Sequence, residues 1–145
     1  ATTEASKGMT VRTHGTTFGG NPLAMAVGNA VLDIMTDPEF LERVRKNALL
    51  LKQRLAELKD RYASVIAEVR GEGLLIGLRM IPQASEMVDE LRAEKMLTVG
   101  AGDNVVRLLP PLIIGDEEIS EAIARIVRAC PRLAQTHART AKVAS

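Results

Sequence analysis

Cysteine, aromatic residues and long apolar runs are nearly missing from these 145 residues, which hold one Cys, no Trp, one Tyr and two Phe. A single thiol, Cys130, excludes an internal disulfide and a cysteine-rich zinc site. Two histidines, His14 and His137, leave few candidates for holding a metal, and none is assigned. This usage suits a reducing, cytoplasmic compartment. An excess of one charge is also lacking: 19 Lys+Arg stand against 18 Asp+Glu, a formal net charge of +1. Nothing at whole-chain level therefore calls for nucleic acid or an acidic membrane surface. No apolar run approaches the roughly 18 residues that span a bilayer, and Ala1 to Gly8 has no signal-peptide core. The chain opens on Ala, not Met, and on no clear structural element, which suggests an excised piece of something longer.

What is present is the patterning of one ordinary globular domain. Asn21-Pro22 is a helix start, a side-chain cap followed by a proline at the first helical position. Leu23, Ala26, Val27, Ala30, Val31 and Ile34 then recur every three or four residues, predicting one buried face of a helix to about Met35. Asp37-Pro38-Glu39 repeats the start signal. The longer helix it opens carries Leu41, Val44, Ala48, Leu51, Leu55, Leu58 and Tyr62 on one side and a solvated, charged face on the other. Residues 65–70 and 74–80, split by Gly71-Glu72-Gly73, read as a two-strand hairpin, with Gly77 marking a bulge or a close approach. A short helix over 85–95, strands over 96–99 and 105–109 and a turn over 100–104 follow. A last helix starts at Asp116 and is expected to stop at Pro131, leaving 131–145 as a flexible tail. This order predicts an α+β fold, a small sheet with helices packed on one face.

The stretch Thr13 to Pro22 sets hydroxyls and flexible glycines directly before a helix N-terminus. Free N–H groups and the positive end of the dipole suit an anion such as a phosphate, though a Gly/Thr loop in this place also serves as a plain connection. It fits neither a P-loop nor a Rossmann fingerprint. His14 is a loop histidine with an ordinary hydrogen-bonding reading beside a catalytic one. Arg107 interrupts the apolar run Val105 to Leu109. Pointing inward it needs a carboxylate partner, and a bidentate clamp on a substrate is the natural role; pointing outward on the strand alternation it is simply solvated. Cys130 and the methionines at 25, 80, 87 and 96 read as packed filler.

Residues 13–24 (Thr-His-Gly-Thr-Thr-Phe-Gly-Gly-Asn-Pro-Leu-Ala), Val69 to Gly77 and Val106 to Leu112 occur in the order found in the class III, ornithine-type aminotransferases, and the sequence resembles that family, its acetylornithine branch most closely. The resemblance implies a pyridoxal-phosphate-dependent homodimer of fold type I that acts on amino acids and 2-oxo acids, with this chain as its C-terminal part. Residues 1–21 would close the large domain and hold the cofactor-phosphate loop, 22–62 would be two connecting helices, and 63–130 the small α+β domain. Thr17 matches the threonine that reaches the neighbouring subunit's cofactor phosphate, with Thr16 beside it. Arg107 matches the arginine that takes a substrate carboxylate, which favours the inward orientation. Gly71, Gly73 and Gly77 match backbone positions of the small-domain hairpin, and Phe18 a contact at the dimer seam.

No catalytic residue is assigned. The resemblance places the family's cofactor-linked lysine, the aspartate at the pyridine nitrogen and the stacking aromatic upstream of Ala1, and Lys7 lies too near the threonine loop to be that lysine. The isolated chain is therefore expected to be inactive. The rival expectation is a non-catalytic α+β ligand-binding or dimerisation module; a third is another class III transaminase acting on ornithine, 4-aminobutyrate or succinyldiaminopimelate. Leu23, Val27 and Val31, a helix face that a large domain would cover, are expected to drive self-association of the chain alone.

Overall fold

A computed structural model describes residues 2–11 and 13–143, and the side chains among these as far as His137. The elements run α1 (Thr3–Ser6), α2 (Pro22–Met35), α3 (Pro38–Arg61), β1 (Ile66–Glu72), β2 (Leu75–Met80), α4 (Ala84–Ala93), β3 (Val99–Ala101), β4 (Val105–Leu108) and α5 (Asp116–Val143). They divide into two compact units, 1–41 and 42–145. The expected grouping of two connecting helices over 22–62 is thus split. Nearly all of α3 belongs with the second unit, because Ala48, Leu51, Leu55 and Leu58 are buried in its core.

The first unit is built around α2. Asn21 caps it, Oδ1 accepting from the Ala24 N–H at 2.9 Å, and Pro22 occupies its first turn. The expectation of a buried face fails here, since no residue of α2 is buried and Leu23, Val27 and Val31 are exposed. The periodicity marks an apolar face correctly, but periodicity says nothing about what covers it.

The second unit is a four-stranded antiparallel sheet of order β1-β2-β4-β3, with one face turned to the core. Ile76 and Leu78 of β2 and Val106 and Leu108 of β4 join residues of α3, α4 and α5 in a single apolar cluster. Alternation does the sorting: successive strand residues face opposite ways, so the intervening residues of β2 and β4 lie on the open face. The one irregularity in register falls between Ile66 and Glu68, so Gly77 marks a close approach and no bulge. A Cβ there would lie 2.9 Å from Val105 Cγ1.

Two boundaries differ from expectation by more than two residues. The third strand begins at Val99, not Met96, because Lys95 turns at φ 61 and the Met96 N–H returns to the Leu91 carbonyl at 2.8 Å, so 96–98 is spent leaving α4. The turn is correspondingly shorter and rests on Asp103 and Asn104, both with positive φ. Asn104 is its anchor: Nδ2 donates to the Met80 and Pro82 carbonyls at 2.9 and 2.7 Å, and Oδ1 accepts from the Ala84 N–H at 2.7 Å.

The second difference is at Pro131, which lies inside α5 and does not end it. A proline in a helix interior costs about 3 kcal/mol. Here the following turn is held by burial of Leu133 and by Arg132, whose guanidinium reaches Glu90 of α4 and Glu94 at its C-cap. Residues 131–143, expected to be a flexible tail, therefore continue the helix; the last two residues of that expected tail, Ala144 and Ser145, lie outside the described residues.

Candidate functional site

The threonine loop folds on short-range hydrogen bonds. Thr16 Oγ1 accepts from the Gly19 N–H at 3.2 Å, and the Phe18 carbonyl accepts from Asn21 Nδ2 at 2.6 Å. A Cβ on Gly19 would fall 2.1 Å from Thr16 Cγ2, and Gly20 takes φ 75, so both glycines are needed for this tight entry into α2. Thr16 is thereby committed within the loop. Thr17 is exposed and its hydroxyl has no partner among the described residues, so it remains a free donor. His14 is exposed in the same loop, and Phe18 is 81% exposed. Lys7 is tied to Glu4, Nζ to Oε2 at 2.6 Å, three residues away on the surface.

Arg107 lies in the other unit, and each unit is described by itself. It is on the open face of the sheet, opposite to the inward orientation that the resemblance favoured. The reason is register: Val106 and Leu108 take the core-facing positions of β4, which leaves Arg107 with Val105 on the other side. Outward here does not mean idle. Arg107 stands opposite Gly77 on β2 and Val99 on β3, at a shallow depression of about 370 Å³ lined also by Arg70, Glu72, Leu75 and Val105. Among the described residues its guanidinium has no ion-pair or hydrogen-bond partner. An unpaired arginine held on a rigid strand at a concave surface is suited to a carboxylate, which it can grip through two parallel N–H bonds.

The neighbours of Arg107 on that face are paired. Arg70 Nη1 meets Asp103 Oδ2 at 2.9 Å, and Arg79 Nε meets Glu68 Oε2 at 3.1 Å. Arg70 was not marked by sequence reasoning as a site residue. Its signal was available in hindsight, an arginine two positions from Glu68 and Glu72 on one strand, but its nearness to Arg107 depends on a register that no local pattern contains.

Other groups offer less chemistry. Burial pushes the Cys130 thiol up to about 12, which leaves it a small inert core residue. A depression of about 690 Å³ beside Ser85, Asp89 and Asn104 is wide open, and Asn104 is already spent on backbone. A cavity of about 240 Å³ near Leu51, Leu108, Pro111 and Ile126 is apolar. Among the described residues no three His, Cys, Asp or Glu side chains converge as for a metal, and no helix is long and apolar enough to cross a membrane.

Known proteins match this arrangement closely. The family model described as Aminotransferase class-III matches residues 1–130. Acetylornithine aminotransferase 1 of Bradyrhizobium diazoefficiens is 52% identical over 141 residues, 97% of this chain and 35% of that protein. The acetylornithine aminotransferase of Brucella melitensis biotype 1 is 56% identical over 133 residues, 92% of this chain and 33% of that protein. The chain thus spans about a third of the length of the curated relatives it matches. Among solved structures, the acetylornithine aminotransferase of Elizabethkingia anophelis superposes with a TM-score of 0.74 at 31% identity, over 86% of this chain and 33% of that one. The N-acetylornithine aminotransferase of Stenotrophomonas maltophilia gives the same TM-score at 32% identity, over 81% of this chain and 33% of its own. These likenesses agree with a part of a fold type I aminotransferase, and the chain belongs to the class III aminotransferase family.

Proposed function

We propose that this chain is the C-terminal portion of an acetylornithine aminotransferase, which moves the terminal amino group of N-acetylornithine to 2-oxoglutarate as a cytoplasmic, pyridoxal-phosphate-dependent homodimer. The names of the relatives support the reaction, and the unpaired guanidinium of Arg107 is the observation that carries this chain's own part in it. The cofactor's ring withdraws electrons from the amino carbon when bound, and the protein contributes binding and orientation.

Two groups of the chain do that work. Thr17 donates its free hydroxyl to the cofactor phosphate of the neighbouring subunit, while Thr16 holds the loop through Gly19. The residues fit a phosphate in one respect, an unpartnered hydroxyl in a glycine loop that enters a helix N-terminus. Arg107 grips a substrate carboxylate and fixes the reacting end in register, a positioning role. In this reading the cofactor's lysine comes from the rest of the enzyme, and Lys7, which pairs with Glu4 on the surface, has no part in it.

The chain by itself therefore does not transaminate. Added pyridoxal phosphate should give no near-visible band that borohydride fixes onto one lysine. A specific, reducible band on a single lysine would overturn the assignment of the lysine to the remainder of the protein.

A further inference from the structure

The two edges of the sheet are finished differently. β1 carries Glu68, Arg70 and Glu72 and an irregular register between Ile66 and Glu68, features that keep an edge from pairing with a further strand. β3, the opposite edge, is Val99-Gly100-Ala101, with neither charge nor proline, and all three residues are exposed. Its hydrogen-bonding phase follows from one bond of β2. The Met80 N–H donates to the Asn104 carbonyl at 2.9 Å, and bonded pairs recur at every second residue, so Leu78 and Val106 are the next bonded pair. Val106 therefore spends its backbone on β2, while Val105 and Arg107 bond Ala101 and Val99 of β3. Gly100, opposite Val106, turns its own N–H and C=O outward, and neither has a partner among the described residues.

Beside that free pair lies a groove. Gly100 is on the core-facing side of the sheet, as its partner Val106 is, and α4 packs against β3 on that side. The depression of about 690 Å³ has Gly100 and Ala101 along one wall and Ser85, Val88 and Asp89 of α4 along the other. A Cβ on Gly100 would meet nothing within 4 Å, so the approach is open. A strand added about 4.8 Å outside β3 would set the residue opposite Gly100 over this depression, and the residues on either side of it on the open face. Half-buried Val88 offers an apolar floor, and Asp89 is the one charged side chain in the lining. Asp89 accepts from Arg92 Nη1 at 2.9 Å, an exposed pair of the kind that contributes little, so its carboxylate is open to a second cation.

We propose that β3 and the groove beside α4 form a docking site for an extended segment of another polypeptide, which adds antiparallel to the sheet as a fifth strand and carries a lysine or arginine opposite Gly100. The backbone of that residue exchanges both bonds with the Gly100 N–H and C=O, its aliphatic stem lies on Val88 and its cation meets Asp89. Within β3 the free edge offers only one donor and one acceptor, so the groove supplies the rest of the recognition. A second copy of β3 fits less well: self-pairing about Gly100 would set a glycine over the depression and leave it empty. The inference goes beyond the proposed transamination and does not rest on it.

The test is titration of the complete protein that carries this chain with a fluorescently labelled peptide, acetyl-Thr-Val-Lys-Val-Thr-amide, with thermal unfolding as the control for folding. Methylating the backbone nitrogen of the central lysine removes the donor to the Gly100 carbonyl and should weaken binding about tenfold or more. Gly100→Pro deletes the outward N–H without touching the ladder to β4 and should weaken the unmethylated peptide likewise. Norleucine in place of the lysine should cost about three- to fivefold, and Asp89→Asn should bring the lysine peptide down to that level while leaving the norleucine peptide unmoved. Binding that ignores both the methyl group and Gly100→Pro overturns strand addition. Equal binding of the lysine and norleucine peptides overturns the cationic partner and the role of Asp89. No binding of either peptide overturns the site, and self-association that Gly100→Pro abolishes also overturns the proposal, by giving the edge to a second copy.

Discussion

Glycine positions show how a single residue's geometry governs this sheet. Gly71 has φ 123, and a Cβ placed on it would sit 2.1 Å from the Leu75 carbonyl oxygen and 3.0 Å from Ile76 Cα. Those are backbone atoms of the paired strand, which cannot move aside without breaking the hairpin. Gly71→Ala should therefore destabilise the fold by about 3 kcal/mol or more. Gly73, at φ 55 in open space, meets nothing, and Gly73→Ala should cost only the left-handed penalty of about 1–2 kcal/mol. Denaturant unfolding of the two variants checks the contrast, and equal costs would count against this account. The sequence reads both as turn residues, but Gly71 lies within β1, paired with Ile76. Their ranking was not legible, because it depends on how closely β2 approaches β1.

At the scale of elements, the long reach of α5 past Pro131 is held by ion pairs with α4. The Arg128 Nε–H donates to Glu94 at 2.6 Å and Arg132 Nη2 at 2.9 Å, and these bonds, Arg128 first, hold the Glu94 carboxyl below its usual range. Arg125 does the same for Glu121, chiefly through a 2.8 Å bond from its Nε, with Arg128 adding a longer one. A carboxyl whose folded pKa is depressed stabilises the fold fully above its unfolded value, near 4.3, and loses that contribution as pH falls through the lower folded value. Glu94→Gln should accordingly unfold at a lower temperature than the parent at pH 7, with the difference shrinking steadily below about pH 4 and in high salt. A gap independent of pH and salt would show that Glu94 acts through packing.

That network also explains why the expected end of the helix was misplaced. Proline is a sound local stop signal, and nothing within a few residues of Pro131 contradicts it. The opposing contributions come from Glu90 and Glu94, some forty residues earlier, and from burial of Leu133. The core helix α3 was legible by contrast, since its cap and its three-four periodicity are both local, although Leu41 of its expected face is exposed and Phe40 is buried instead.

At the scale of the chain, α2 carries an apolar face without cover among the described residues. Leu23, Val27 and Val31 of α2 are 75%, 55% and 46% exposed, alongside Leu32 and Ile34. A contiguous apolar surface of this kind drives association in water. The chain alone should form dimers or larger species as concentration rises, and joint replacement of Val27 and Val31 by Glu should raise the dissociation constant at least about a hundredfold. Sedimentation or light scattering reads this directly; a clean monomer at high concentration would exclude α2 as an association surface for the chain by itself.

The types of the elements from α2 onward, the caps at Asn21 and Asp37, the apolar faces and the family motifs around Thr17, Gly71 and Arg107 were determined by the sequence alone, because each is set by neighbours within a turn or a strand; the short α1 was not. Tertiary structure decided which apolar face is covered, that Arg107 points away from the core, that α5 survives Pro131, and that Arg70 crosses Gly77 to meet Asp103. Those outcomes depend on strand register and on charges tens of residues apart. Such long-range pairings are fixed only when the chain closes, and no local window of sequence carries them.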